Sequence, residues 1–425
     1  MLIEFRVKNF RSLRDEQVLS MVASPDKTLK DTHVFATGLK AAPGLLRSAA
    51  IYGANASGKS TLLRALQFMQ ELVARSATRI RPGEKFSVQP FRLDEASATE
   101  ATAFELSFLD EGIRYQYGFA MTAERIVSEH LLVYKAFKPQ RWFQRHHDIH
   151  TNQDIYEFGP GLKGKKQVWE DATRPNALFL SMAAQLNSTS LRPVFDWITN
   201  NLVIFNEYSP LTSEAAVQAL QETKSKKRLC DFIRAADISL ADIEVTTRKV
   251  PAQPRRDDAG ARKMDASPEE MDVFDLRFHH ITDEGRASFP IEEESNGTRN
   301  LLYLAAPIMD ILQSGAVLLV DELDTSLHTL LVRELVRLFN NPATNPGHAQ
   351  LIFTTHDTSL LDADGLFRRD QIWFMEKGAD QASELISLSE YSPRKNEALE
   401  RGYLIGRYGG IPLLNRSRGL LPHGT

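Results

Sequence analysis

One eight-residue segment, Gly53-Ala-Asn-Ala-Ser-Gly-Lys-Ser60, restricts what this chain can fold into more than any other feature. It fits the pattern G-x-x-x-x-G-K-[ST] at every fixed position. Glycine at the first and sixth places lets the backbone take conformations that a Cβ would strain, so successive N–H groups can converge on one anion. Before the segment runs apolar Ser48-Ala-Ala-Ile-Tyr52. After it, Thr61-Leu-Leu-Arg-Ala-Leu-Gln-Phe-Met69 spaces its apolar residues as a helix does. The order is strand, glycine loop, helix, which puts the positive end of a helix beside the loop amides and suits a phosphate. At ordinary residue frequencies the pattern arises by chance in about one or two chains per hundred, and the correct flanks lower that further. Gly53, Ala54, Asn55, Ala56, Ser57, Gly58, Lys59, Ser60 and Thr61 are therefore the expected phosphate-binding residues. Lys59 would neutralise the β and γ phosphates of ATP, and the Ser60 hydroxyl would ligate Mg²⁺.

A second segment fits the same chemistry. The apolar run Ala316-Val-Leu-Leu-Val320 ends in Asp321-Glu322. At the carboxyl end of a parallel strand Asp321 can reach the metal, and Glu322 can orient and deprotonate a water. Alone, an apolar strand ending in acids usually marks only where solvent begins. Here Asp324, Ser326 and His328 follow at once, and a further apolar run, Leu351-Ile-Phe-Thr-Thr355, ends in His356-Asp357. A lone histidine is more often structural; one placed just beyond the strand after an Asp-Glu strand is positioned to sense a γ-phosphate.

The remaining pattern gives the fold class. Apolar strands at 316–320, 350–354 and 371–375 alternate with helix-like runs at Thr298–Leu312 and Ser326–Phe339, as in a parallel sheet covered on both faces. Ile3, Phe5 and Val7 alternate with Glu4, Arg6 and Lys8. Phe104–Phe108 and Tyr115–Phe119 flank Asp110-Glu-Gly112 as a hairpin, and strand pattern continues to Tyr134. Residues 170–240 read as mainly helical, and the polar stretch Pro251–Glu270 as a mobile loop. The expectation is an α/β fold: a P-loop core with a mostly parallel sheet, an antiparallel patch and an inserted, partly helical subdomain. Its divisions fall at 1–135 (first ATPase lobe), 136–270 (insert and loop) and 271–425 (second lobe and tail).

Composition excludes several classes. The 425 residues are 42% hydrophobic and 25% charged, ordinary for a globular chain long enough for more than one core. A single cysteine, Cys230, rules out a disulfide framework or four-cysteine metal site and reads as a buried small hydrophobe. The net charge of −4 gives no global footprint for nucleic acid and leaves that partner open. The basic runs at 163–166, 224–228 and 255–256 read as solvated faces. No apolar stretch reaches the roughly 18 to 20 residues of a membrane span, and no signal-peptide core opens the chain, so a cytoplasmic protein is expected. His146-His-Asp-Ile-His150 lacks other nearby ligands and reads as an exposed turn, with Trp142-Phe143 at a hairpin end rather than a base-stacking site.

Taken together the motifs resemble those of ABC-type ATPases of the SMC/RecF/OLD branch. Lys8-Asn-Phe-Arg-Ser12 resembles that branch's opening strand, and Glu294-Ser-Asn-Gly-Thr-Arg299, heading a helix, resembles its signature. The resemblance implies a head-to-tail dimer with ATP sandwiched between protomers. Ser295 and Gly297 would meet the γ-phosphate held by the other copy, Asp324 would cross the interface, and His356 would act as the switch beside the catalytic Glu322. Glu294–Arg299 also suits a plain helix N-cap, and both roles are expected of it. Gln89, in Val88-Gln-Pro-Phe91, is the candidate for the family's cation-binding glutamine, with an ordinary surface glutamine as the alternative.

The insert lacks the long heptads of SMC proteins, and the stretch after His356 is too short for the TOPRIM nuclease of OLD proteins. Asn396–Pro412 resembles the tail of RloA-like and AriA-like ATPases of prokaryotic anti-phage and abortive-infection operons. That implies a separately encoded effector, with a TOPRIM-type nuclease as the candidate, and a phage protein as trigger. The rival readings are a RecF-like enzyme acting directly on DNA and an ATP-dependent scaffold with little turnover.

Overall fold

The computed structural model of the chain describes residues 1–135, 138–205, 213–235, 240–251, 270–391 and 397–411. Two compact units result: residues 1–209, 311–325 and 332–425 form the larger, and 210–310 with 326–331 the smaller.

In the larger unit the apolar runs read from the sequence build a six-stranded sheet. Its order is Leu202–Phe205, Val317–Val320, Gln350–Thr354, Ser48–Tyr52, Ile372–Lys377 and Ser383–Ser387. All neighbours pair in parallel except the last two. Every residue of Val317–Val320, Gln350–Thr354 and Ser48–Tyr52 is buried, the reason these strands carry no polar alternation. The strand Ser48–Tyr52 lies directly beside Gln350–Thr354, so the glycine loop and His356 leave adjacent strands at the same edge. Leu202–Phe205 falls inside the region read as mainly helical, and it closes the far side of the sheet.

Lys59–Arg75 forms one helix after the glycine loop, burying Leu62, Leu66, Met69 and Val73. Its Phe68 stacks on Phe104, with centroids 5.6 Å apart. Each such side chain removed from water contributes about 1.5–3 kcal/mol, which fixes the helix that begins at Lys59.

Phe104 belongs to a seven-stranded antiparallel sheet. The hairpin read at 104–119 forms around Glu111 and Gly112, both at positive φ (46° and 78°), as a two-residue turn requires. Leu2–Lys8 sits inside this sheet between Gln17–Ser20 and Thr102–Asp110, and the sheet runs on through Ile126–Tyr134, Gln140–Asp148 and Gln153–Phe158. The His146–His150 stretch spans the end of one strand and the turn to the next, while Trp142 and Phe143 are buried within the strand. Two buried polar side chains tie these elements together. Gln350 accepts from the Leu2 amide (2.6 Å) and donates to the carbonyls of Leu2 (3.0 Å) and Leu46 (2.9 Å). Glu129, fully buried, accepts from Tyr117 Oη (2.9 Å) and from the amides of Phe179 (2.7 Å) and Leu180 (2.9 Å). Burial raises its pKa, and Arg145 beside it opposes the rise.

The smaller unit pairs Leu240–Pro251, Glu270–Thr282 and Gly285–Pro290 in an antiparallel sheet, with helices Ser213–Gln221 and Thr223–Ala235; helix Asn296–Ser314 begins in it. Cys230 is buried there. The loop expected at Pro251–Glu270 and the arginines at 255–256 fall at 252–269, outside the described residues. Among the described residues no helix is long and apolar enough to cross a membrane.

Candidate nucleotide site

The glycine loop has the conformation its sequence demands. Gly53 and Gly58 adopt φ of 154° and 113°, and Ala56 stands in the left-handed region at 62°. A Cβ on Gly53 would lie 2.5 Å from the Met375 carbonyl oxygen and 2.6 Å from Ser57 Oγ; one on Gly58 would lie 2.5 Å from Ser383 Oγ. Neither place accepts a side chain. Lys59, 5% exposed, folds back to donate from Nζ to the carbonyls of Gly53 (2.8 Å) and Ala54 (3.1 Å). Burial lowers its pKa, while Glu322, Asp321 and Asp324 raise it. Ser60 is the second residue of the helix and Thr61 the third.

Across the sheet edge the acids are held by one hydroxyl. Thr354 Oγ1 donates to Asp321 Oδ1 (2.6 Å) and accepts from the Glu322 amide (2.7 Å). Glu322 is exposed at φ 52°, a conformation that costs a non-glycine residue free energy and persists because its neighbours fix it. Its carbonyl accepts from the Thr325 amide (3.0 Å) and Oγ1 (2.8 Å), closing a turn. Asp324 accepts the His356 amide on both carboxylate oxygens, at 3.3 and 3.2 Å. Burial lowers the His356 pKa first, and Lys59 lowers it further against Asp324, Glu322 and Asp321. The imidazole is therefore largely uncharged at neutral pH.

Lys59, Asp321, Glu322, Asp324 and His356 are thus brought together in the larger unit. Ser295 and Gly297 belong to the smaller one. Ser295 caps its helix: its Oγ accepts from the Thr298 amide at 3.0 Å, so the N-cap read from the sequence is present. Among the described residues, Ser295 Oγ (3.6 Å) is the atom near the place of a Cβ on Gly297. Gln89 is exposed and lines a separate cavity of about 240 Å³ with Arg11, Ser12 and Lys377, and its carbonyl accepts from the Arg11 amide at 2.7 Å.

The site fits a nucleoside triphosphate. Among the described residues, Ser57 Oγ is buried against the loop without a hydrogen-bond partner, as are Ser12 Oγ and Ser383 Oγ around Gly58. A desolvated lysine within a nest of backbone amides calls for an anion. Among the described residues no three His, Cys, Asp or Glu side chains converge as a metal cage. Ser60 and Asp321 are the residues that would hold Mg²⁺, an ion that commonly takes the rest of its coordination from phosphate oxygens and waters. Ser383 and the C-terminal residues Tyr403, Gly409 and Gly410, which line or approach the loop, are not predicted by any sequence motif of the site; only the tail resemblance points at the last three.

A strand, glycine loop and helix facing an Asp-Glu strand end define a P-loop nucleoside triphosphatase. The chain belongs to the family described as "AAA domain, putative AbiEii toxin, Type IV TA system", whose model matches residues 48–362; it is a P-loop ATPase domain. No curated protein sequence matches it. Similar solved structures include the SMC head domain from Thermotoga maritima, at 14% identity over 91% of this chain and 98% of that one, TM-score 0.42. Another is an SMC head bound to the C-winged helix domain of ScpA, at 14% identity over 92% and 99%, TM-score 0.43. A third is an SMC head with an extended coiled coil bound to the C-terminal domain of ScpA, derived from Pyrococcus furiosus, at 13% identity over 92% and 97%, TM-score 0.40.

Proposed function

We propose that this chain is an ABC-type ATPase of the SMC/RecF/OLD branch that hydrolyses ATP between two copies of itself and controls a separately encoded effector in prokaryotic anti-phage defence. The observation that carries the ATPase reading is the convergence of Lys59 with Asp321, Glu322 and His356 at the ends of neighbouring strands. In this reading the loop amides and Lys59 bind the β and γ phosphates, Ser60 and Asp321 hold the cation, and Glu322 takes the proton of the attacking water. His356 accepts or donates one hydrogen bond at the γ-phosphate. Mg²⁺ would supply neutralisation of the phosphate charge.

Ser295 and Gly297 serve the other copy's triphosphate. Ser295→Arg leaves ATP binding nearly intact but blocks closure, so hydrolysis and ATP-dependent association fail together. Mixing it with Lys59→Ala restores turnover, because one site of a mixed dimer has an intact loop and an intact signature. Turnover at matched folded concentration measures this. A cap with no further role gives lowered stability, normal hydrolysis per folded molecule and no rescue.

The defence role draws support from the tail resemblance at Asn396–Pro412 and from a family description that names a toxin of a toxin–antitoxin system. In this reading the protein is cytoplasmic and a phage component is its trigger. With a separate effector, the purified chain with ATP and Mg²⁺ or Mn²⁺ leaves DNA and RNA uncut. Cleavage that disappears on mutating acids outside the nucleotide site would overturn that assignment.

A further inference from the structure

A cavity of about 960 Å³ opens beside the glycine loop, walled on one side by Gly53, Ala54, Asn55 and His356 and on the other by the C-terminal segment, including Tyr403 and Gly410. That segment touches both halves of the site at defined atoms. Toward the loop, Tyr403 lies edge-on to Tyr52 (centroids 5.9 Å) and stacks on Phe374 (5.2 Å). Its buried hydroxyl donates to the Gly410 carbonyl at 3.0 Å. Gly410, at φ 66°, comes so close that a Cβ on it would be 3.5 Å from Gly53 Cα. Toward the histidine, Glu400 accepts from Thr358 Oγ1 at 2.7 Å, two residues beyond His356. Asp362 accepts from the Leu399 amide at 2.7 Å. Gly53 and His356 leave adjacent strands, and one short segment packs against Gly53 through Gly410 and accepts a hydrogen bond from the turn after His356.

We propose that Tyr403 and Glu400 are positioning residues for ATP hydrolysis, Tyr403 fixing Gly410 against the first glycine of the phosphate loop and Glu400 fixing the segment that carries His356. This rests on the ATPase reading above. Neither side chain need touch the nucleotide. Together they set the distance between the phosphate cradle and the histidine, and small errors in that distance act on the rate rather than on binding.

The test compares Glu400→Ala, Glu400→Gln and Tyr403→Phe with Tyr408→Phe. The last loses a bond of the same tail, from Tyr408 Oη to Glu397 (2.7 Å), that reaches neither Gly53 nor Thr358. Turnover, affinity for a fluorescent ATP analogue and melting temperature are measured on the full chain. Glu400→Ala and Tyr403→Phe should lower kcat about tenfold, the scale of one lost hydrogen bond. Affinity should stay within about twofold, because the loop amides and Lys59 that bind the phosphates are unchanged. Glu400→Gln, whose amide oxygen still accepts from Thr358, should restore kcat. Tyr408→Phe should lower the melting temperature as much as Glu400→Ala does and leave kcat at the wild-type value. Wild-type kcat in Glu400→Ala, no restoration by glutamine, or an equal loss in Tyr408→Phe overturns the proposal. Lys59→Ala is run alongside to separate the two failures. If wild-type turnover survives it, the ATPase reading itself fails; if it abolishes turnover while Glu400→Ala is normal, only the positioning role fails.

Discussion

Lys59→Ala abolishes nucleotide-dependent turnover. The ammonium is the only cation the loop itself contributes, and it is almost fully desolvated, with two backbone carbonyls as its partners in the described structure. Three carboxylates beyond the end of Val317–Val320, one strand removed from Ser48–Tyr52, lie within its electrostatic reach. A triphosphate brought toward Asp321, Glu322 and Asp324 without that charge meets net repulsion in a partly dehydrated pocket, where charges act strongly. A charge-assisted contact to phosphate contributes about 1.5–3 kcal/mol, so affinity falls roughly ten- to a hundredfold from this term alone. The transition state, carrying more charge on the γ oxygens, loses more. Equilibrium binding and steady-state turnover measure the two parts. Binding and hydrolysis at the wild-type level would remove residues 53–60 from the site.

Glu322→Gln separates binding from chemistry. The glutamine is nearly isosteric, and the turn it occupies is held by backbone atoms: the Glu322 amide on Thr354 Oγ1 and its carbonyl under Thr325. The exposed carboxylate has no part in that scaffold, so the fold and the loop stay as they are. ATP binds normally, and hydrolysis slows at least about a hundredfold, the usual scale for a lost general base. Because closure precedes hydrolysis in the proposed cycle, the variant accumulates as an ATP-held dimer, seen as a doubled mass in light scattering. Single-turnover hydrolysis at the wild-type rate moves the base elsewhere. His356 is then the next group to replace, since its titration is coupled electrostatically to both Lys59 and Glu322.

The two variants rest on the part of the site most legible in sequence, and the reason is local. A glycine at positive φ, a lysine one residue later and a four-residue apolar strand ending in acids each state their structural requirement within a few neighbouring residues. Burial of both sheet faces makes Val317–Val320 and Leu351–Phe353 continuous apolar runs, so their carboxyl ends can be found by reading outward. Leu202–Phe205 cannot. Four residues between helices carry too short a period to separate a strand from a helix end, and its place is set by pairing with Val317–Val320, more than a hundred residues on. The same holds for Ser383 beside Gly58 and for Tyr403 beside Gly53. Tertiary folding creates those contacts, and neither residue sits in a pattern that announces them. Asn9 shows the middle case. It is visible as part of Lys8–Ser12, yet its work is structural. Its side chain donates to the carbonyls of Ser97 (2.8 Å) and Glu100 (3.0 Å) and accepts from the Phe91 amide (2.9 Å), fastening the opening strand to the loops beside it.

Thr354 uses its hydroxyl twice, as donor to Asp321 and acceptor from Glu322, while the strand it ends leads within two residues to His356, whose amide is held by Asp324. The acid turn and the histidine turn are therefore stitched in both directions, from strand to turn and back. Mechanically this leaves them few independent degrees of freedom: a shift of either drags the other, and the pair behaves as one jaw. The opposing jaw is the glycine loop with the helix behind it. In the proposed cycle a bound phosphate acts chiefly on the gap between the jaws, the distance that Tyr403 and Glu400 are proposed to set, and a single coordinate is the simplest quantity to pass on to an effector.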